Sequence, residues 1–340
     1  MENEPDRGGA SNHQRTISGT RPRQPLPPPP VAGVDYPRDA REFYELFPDE
    51  PACLRALERL RWPEGFVCRQ CGRQSEPFRS GRLIGCTRCG YLASVACDTL
   101  FHGSAKPLRL WLLALWEIVG QQAGMNTKSM QRMLRLRSER DAVSVIGRVQ
   151  HAMATASRRP LRGPVEVAAI YVETRDEDAR RAGATAPAVI AIAAERAVGR
   201  LGRARLQVLW PVDARTMTDF VVDSVAPRSV VYTGSWPGYH RLAQGDLTHV
   251  APPVGGTRAA QPELRHVQRV ADELRRWLWC TRGVTRVGLP CRLDEFAFRY
   301  DRRGPDRGLV FFHLLRQAVP VEQIAAPAAR RRVGRSGTAG

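Results

Sequence analysis

Three observations predict an α/β multidomain fold for this chain. Two C-x-x-C pairs lie near the N-terminus, helical periodicity runs through the middle, and strand-like runs rich in β-branched residues begin at Pro164. They divide the chain into a cysteine ribbon, a helical linker and a mixed sheet with helices. At 340 residues and 43% hydrophobic content, the chain can hold two or three domains with real cores. The formal charge of +18 points to a polyanionic partner, with nucleic acid first. Nearly all of that charge is arginine, since Lys106 and Lys128 are the two lysines, so a composition bias toward Arg, Ala, Gly and Pro contributes to it. The longest apolar run, near Leu110–Trp116, is too short for a membrane span. Met1–Gln24 lacks an apolar leader, so a cytoplasmic, nucleoid-associated protein is expected.

Cys68-Arg-Gln-Cys71 and Cys86-Thr-Arg-Cys89 each offer two thiolates from a tight turn, and 14 residues separate the pairs. Gly72 and Gly90 follow the second cysteine of each pair, where a knuckle needs an unusual backbone angle. Four thiolates at about 2.3 Å make a closed, structural Zn²⁺ site with no open position. Two disulfides are the competing reading, and a reducing compartment disfavours it. Cys53, Cys97, Cys280 and Cys291 lack partners at ligand spacing and read as packed thiols.

Residues 1–35, with the proline run of Pro25–Pro30, read as a disordered leader, and 319–340 as a disordered basic tail. Residues 36–104 form the ribbon with a helical lead-in, in which Phe43, Leu46, Cys53, Leu54, Leu57 and Leu60 share a face. Tyr91–Cys97 reads as the ribbon's closing strand. Residues 105–160 are helical, with Leu108, Leu112, Leu115, Trp116 and Val119 as the stripe of the first helix and a break at Gly124. A short helix capped by Thr127 and a second one capped by Ser138 or Asp141 suggest a helix-turn-helix. Its DNA contacts, with those of the ribbon, are expected from Arg69, Arg73, Arg88, Lys128, Arg132, Arg135 and Arg148. A plain helical linker with a solvated basic face is the alternative.

In the last region, 161–318, the predicted strands are Val165–Val172, Ala188–Ala194, Arg205–Trp210 and Arg228–Thr233. A helix capped by Asp213 precedes the fourth strand, and helices over Glu263–Leu278 and Cys291–Arg303 follow it. Strand, strand, strand, helix, strand, helix is the order of an RNase H-like fold, which carries metal-binding carboxylates on its first strand, at the end of its fourth and on a late helix.

Three separated motifs carry a resemblance to a known family: Phe47-Pro-Asp-Glu…Leu60-Arg-Trp-Pro-Glu-Gly-Phe-Val-Cys, then Cys97-Asp-Thr-Leu-Phe-His-Gly, then Leu293-Asp-Glu-Phe-Ala-Phe-Arg-Tyr-Asp-Arg-Arg. The chain resembles bacterial insertion-sequence transposases with an N-terminal zinc ribbon and an ISXO-like DDE core, from about Tyr36 to Leu315. In the second motif the family usually has Gly-Thr-x-Phe-His, and in the third Asp301 replaces the usual Asn. The resemblance implies DNA cleavage and strand transfer with two Mg²⁺ ions about 3.5–4 Å apart, held by three acidic residues.

The acidic residues do not carry over. The family's Val-Glu-Val-Asp falls on Val165-Glu-Val-Ala168, and its strand-ending Thr-Asp falls on Thr233-Gly234, so Ala168 and Gly234 replace both aspartates. Glu273, shortly before Trp277-Leu278, matches the third position, with Asp272 as an alternative register. His249 and His266 fall where the family often has histidine, and Glu166 is the ordinary family residue at its position. The side chains of 168, 234 and 273 are expected to converge on one shallow pocket. The function expected from the resemblance is binding of double-stranded DNA at terminal inverted repeats, by a homo-oligomer, without catalysis. The alternatives are an active transposase with an unorthodox acid set and a domesticated zinc-ribbon regulator.

Overall fold

The computed structural model describes residues 29–121, 124, 126–156, 159–174, 186–197, 202–244, 246–252, 264–280, 284–304 and 306–319. Most of the expected leader, the tail from 320 and the Gly- and Pro-rich loop over 253–263 lie outside them. Residues 31–35, at the end of the expected leader, form a turn with Tyr36, closed by the Gly33 N–H donating to the Tyr36 carbonyl at 2.8 Å.

The helical lead-in is two helices, α1 (Ala40–Leu46) and α2 (Glu50–Arg61), each started by an aspartate cap, Asp39 and Asp49. Pro48 between them cannot continue a helix. Strands β1 (Pro77–Ser80), β2 (Leu83–Cys86) and β3 (Leu92–Ser94) form a small antiparallel sheet. Helix α3 (Leu108–Gly120) buries Leu108, Leu112, Leu115 and Trp116 as the stripe predicts. Helix α4 (Thr127–Met133) is capped by Asn126 and not by Thr127: the Asn126 side chain accepts from the Ser129 N–H. Helix α5 (Glu139–Ala156) opens on a reciprocal pair in which Ser138 and Asp141 each accept the other's backbone N–H.

The second sheet has the order β6-β5-β4-β7-β8, built from β4 (Pro164–Thr174), β5 (Ala186–Glu195), β6 (Ala204–Leu209), β7 (Val230–Thr233) and β8 (Thr248–Val250). The first three strands are antiparallel neighbours, while β7 runs parallel to both β4 and β8. That is the RNase H-like arrangement, completed by β8, a strand too short to read from sequence. Helix α6 (Ala214–Ser224), capped by Asp213, covers one face through Met217, Phe220 and Val221, packed on Val165, Val167 and Val231. Helices α7 (Arg265–Cys280) and α8 (Leu289–Asp301) cover the other. Val267, Val270, Ala271, Leu274 and Leu278 form the buried stripe of α7, and each large apolar side chain so buried contributes about 1.5–3 kcal/mol.

A last helix, α9 (Arg307–Ala318), was assigned to the core from sequence but packs elsewhere. Its Phe311, Leu314 and Leu315 join Phe43, Phe47 and Trp116 in the cluster that also holds the ribbon and α3–α5. Gly308 permits this, since a Cβ there would sit 1.8 Å from the Pro37 carbonyl oxygen. No described helix is long and apolar enough to cross a membrane.

Candidate functional site

The four ribbon cysteines converge. Two knuckles share one hydrogen-bond pattern: Gly72 and Gly90 donate to the Cys68 and Cys86 carbonyls at 2.8 and 2.9 Å. Both glycines have left-handed backbone angles, with φ of 67° and 71°. The Sγ atoms lie 3.5 Å apart for Cys68–Cys89 and 3.8 Å for Cys71–Cys86, matching the edge of about 3.8 Å in a tetrahedron of 2.3 Å Zn–S bonds. Burial alone raises the Cys86 thiol, but the Arg88 and Cys89 backbone N–H groups and the Ser75 hydroxyl bring it down to about 6. The donor set fits a closed, structural zinc site.

In the large sheet, the last register pair between the parallel strands β4 and β7 is Val167 with Thr233. Ala168 and Gly234 are each the next residue along, so the two positions stand side by side on neighbouring strands. Neither side chain carries an oxygen, and a Cβ built on Gly234 meets nothing within 4 Å. Among the described residues, no three Asp, Glu, His or Cys groups of this sheet bring ligand atoms within 4.8 Å of one another. These residues do not fit the implied Mg²⁺ pair, which needs oxygen ligands.

Glu166, two positions before Ala168 on the same face, is fully buried. Its carboxylate accepts the His266 and Val267 N–H groups at 2.7 and 3.0 Å and Arg196 Nε at 2.8 Å, and it lies 2.9 Å from His266 Nδ1. It is therefore the cap of α7, supplied from another strand. Burial alone would raise this carboxyl, and Arg196, the Val267 N–H and His266 outweigh it and hold it below the usual range. On the sheet's other face His249 Nε2 lies 2.8 Å from Thr233 Oγ1, and burial lowers this imidazole.

Glu273, the residue at the third position, lies on α7. It stands beside the buried stripe of α7, 3.5 Å from Arg269 Nε. With Trp277, Tyr300, Arg303 and Gln121 it lines a crevice of about 880 Å³ that neither Ala168 nor Gly234 reaches. Tyr300 and Arg303, which share the crevice with Glu273, belong to the end of α8 and the residues after it. Asp272, the alternative register, is exposed and 3.3 Å from Arg275. Asp301, at the usual Asn, is buried and pairs with Arg205 at 2.8 Å, tying the end of α8 to β6.

Lys128 and Arg132 on α4 and Arg135 beyond its end are exposed, and the four-residue spacing sets Lys128 and Arg132 on one side of the helix. Arg73 and Arg88 are exposed on the two knuckles, while Arg69 pairs with Asp98 at 2.7 Å. Arg148 is engaged within the protein. It points inward, donates to the Leu100 and His102 carbonyls and lies over the Trp111 ring. Nothing in the sequence of α5 distinguishes it from an outward arginine.

Residues 48–92 match the family described as transposase zinc-ribbon domain, and residues 160–301 match the ISXO2-like transposase domain. No curated protein matches the chain. The ribbon match covers the four-cysteine cluster, and the second match covers the sheet from the start of β4 to the end of α8. With this ribbon and this core, the chain belongs to the insertion-sequence transposases.

Proposed function

We propose that this transposase-family protein binds duplex DNA at transposon ends and no longer cleaves or joins it. The observation that carries the reading is the Ala168–Gly234 pair. Two neighbouring positions where the family resemblance implies aspartates offer no metal ligand. Losing the carboxylates that stabilise charge in an in-line phosphoryl transfer forfeits several kcal/mol, and each 1.36 kcal/mol is about tenfold in rate.

DNA binding, in this reading, uses the exposed cations of the knuckles and of α4, with the terminal inverted repeats as target and a homo-oligomer as the binding species. Exposed cations on a short helix suit phosphate contacts, which set position and affinity more than sequence preference.

Supercoiled-plasmid nicking with Mg²⁺ or Mn²⁺ tests the catalytic half: no nicked product is expected. Nicking in Mg²⁺ that Glu273→Ala abolishes would establish the active reading with an unorthodox acid set. A gel shift against the repeats flanking the gene tests the binding half, and binding elsewhere with none at those repeats would favour the regulator.

A further inference from the structure

The loop that leaves the ribbon carries a second set of metal-ligand groups. The Sγ of Cys97, a carboxylate oxygen of Asp98 and a ring nitrogen of His102 all lie within 4.8 Å of one another. None belongs to the four-cysteine site. Sequence spacing had placed Cys97 among packed thiols, yet it is only half-buried, and Asp98 and His102 are exposed.

The backbone of this loop is held from three helices. The buried Arg61 of α2 donates to the Val95 carbonyl at 2.8 Å and to the Cys97 carbonyl. Arg148 of α5 donates to the His102 carbonyl at 2.7 Å and to that of Leu100. The Leu100 N–H donates to the Ala318 carbonyl at the end of α9 at 2.9 Å. Asp98 adopts a left-handed φ of 58°, at the place where the motif it resembles usually has glycine. A residue other than glycine kept in that conformation on a rigid loop is the kind of local cost found at binding sites.

The side chains are oriented for a cation. His102 Nδ1 accepts the Asp98 N–H at 3.2 Å, which fixes the imidazole beside Asp98. Asp98 Oδ2 accepts from Arg69 at 2.7 Å, which fixes the carboxylate, and the Cys97 side chain is hydrogen-bonded to the same group. Arg69 itself sits inside the Cys68–Cys71 knuckle. A cavity of about 380 Å³, lined by Cys97, His102, Arg61 and Arg69, adjoins the group.

We infer that Cys97, Asp98 and His102 form a second metal site, for a zinc-like divalent ion with three protein ligands and a fourth position open to water. One thiolate, one imidazole and one carboxylate suit Zn²⁺ or Co²⁺ and not Mg²⁺, which takes oxygen ligands. Binding releases the Cys97 thiol proton to solvent. The ion bridges ligands that follow β3 to a loop clamped by α2, α5 and α9, and Asp98 links it to the zinc knuckle through Arg69.

The test is a Co²⁺ titration of the full-length, zinc-loaded protein. The site should take up one Co²⁺ with visible d–d bands and a weak charge-transfer band from a single thiolate. Cys97→Ser should abolish the charge-transfer band, and Asp98→Asn should weaken Co²⁺ binding at least tenfold. Since the arginines hold backbone carbonyls, both variants should keep the parent's circular dichroism and its ribbon zinc. No spectroscopic uptake in the parent overturns the proposal. Bands that survive Cys97→Ser also overturn it, because they report exchange into the four-thiolate ribbon.

Discussion

Glu166 on β4 and His266 at the start of α7 meet twice: the carboxylate accepts the His266 N–H at 2.7 Å and lies 2.9 Å from its Nδ1. With Val267 and Arg196 added, both carboxylate oxygens are already occupied. Glu166 thereby does for α7 what a local cap does elsewhere, and negative charge at a helix N-terminus is favourable. It is the buried carboxylate nearest in sequence to Ala168, and its partners commit it to structure.

Glu166→Ala should therefore destabilise the core by about 3–5 kcal/mol, because it leaves Arg196 and the helix N–H groups without their buried partner. Urea unfolding in metal-free buffer measures this. An unchanged midpoint would argue that the carboxylate is held for a ligand instead.

The same group makes stability depend on pH. Its folded pKa lies below its unfolded value, so its contribution is complete above the ordinary carboxyl pKa and is lost as pH falls through the folded one. Glu195, bonded to Arg203 and also shifted down, adds in the same direction. The urea midpoint should fall as pH drops below about 4.5, and Glu166→Gln should flatten that fall.

Cys86→Ser should remove the ribbon's zinc, since a three-thiolate remnant loses the tetrahedron on which this small sheet depends. Metal analysis should show one equivalent fewer than in the parent. The RNase H-like core, which has its own apolar clusters, should keep its unfolding transition.

Substituting Lys128, Arg132 and Arg135 together by Gln should weaken duplex binding and lower the log–log salt slope by up to about three, one for each lost phosphate contact. Arg148→Gln should behave differently. Its bonds to Leu100 and His102 predict lost stability with the salt slope unchanged. Fluorescence anisotropy across a salt series, beside thermal melts, separates the two outcomes.

What sequence conveys here follows from what is local. The cysteine spacing, the β-branched run of β4 and the aspartate cap of α6 are contained within a few residues, and each is found as expected. Helix α9 was missed because Phe311, Phe312, Leu314 and Leu315 are all buried, which erases a one-sided stripe. His266, which Glu166 caps, lies 100 residues away in sequence, and the direction of Arg148 is set by carbonyls nearly 50 residues earlier. Glu273 was matched by its distance from Trp277 along the chain, but its direction depends on which stripe of α7 meets the sheet.

The paired reversion Ala168→Asp with Gly234→Asp examines the vacancy directly. Gly234 has open space where a side chain would go, and Ala168 is only half-buried, so both carboxylates can be accommodated. Side by side on parallel strands, they would repel one another, and a divalent ion relieves that repulsion. The variant should be less stable than the parent without metal and recover with millimolar Mn²⁺, a shift the parent should lack. Nicking should remain absent, since two carboxylates alone supply an incomplete set. A thermal melt that does not respond to Mn²⁺ would mean that the two positions do not share a site. Restored nicking would mean that a third ligand reaches the strand ends from elsewhere, and Glu273→Ala in the reverted background would show whether α7 provides it.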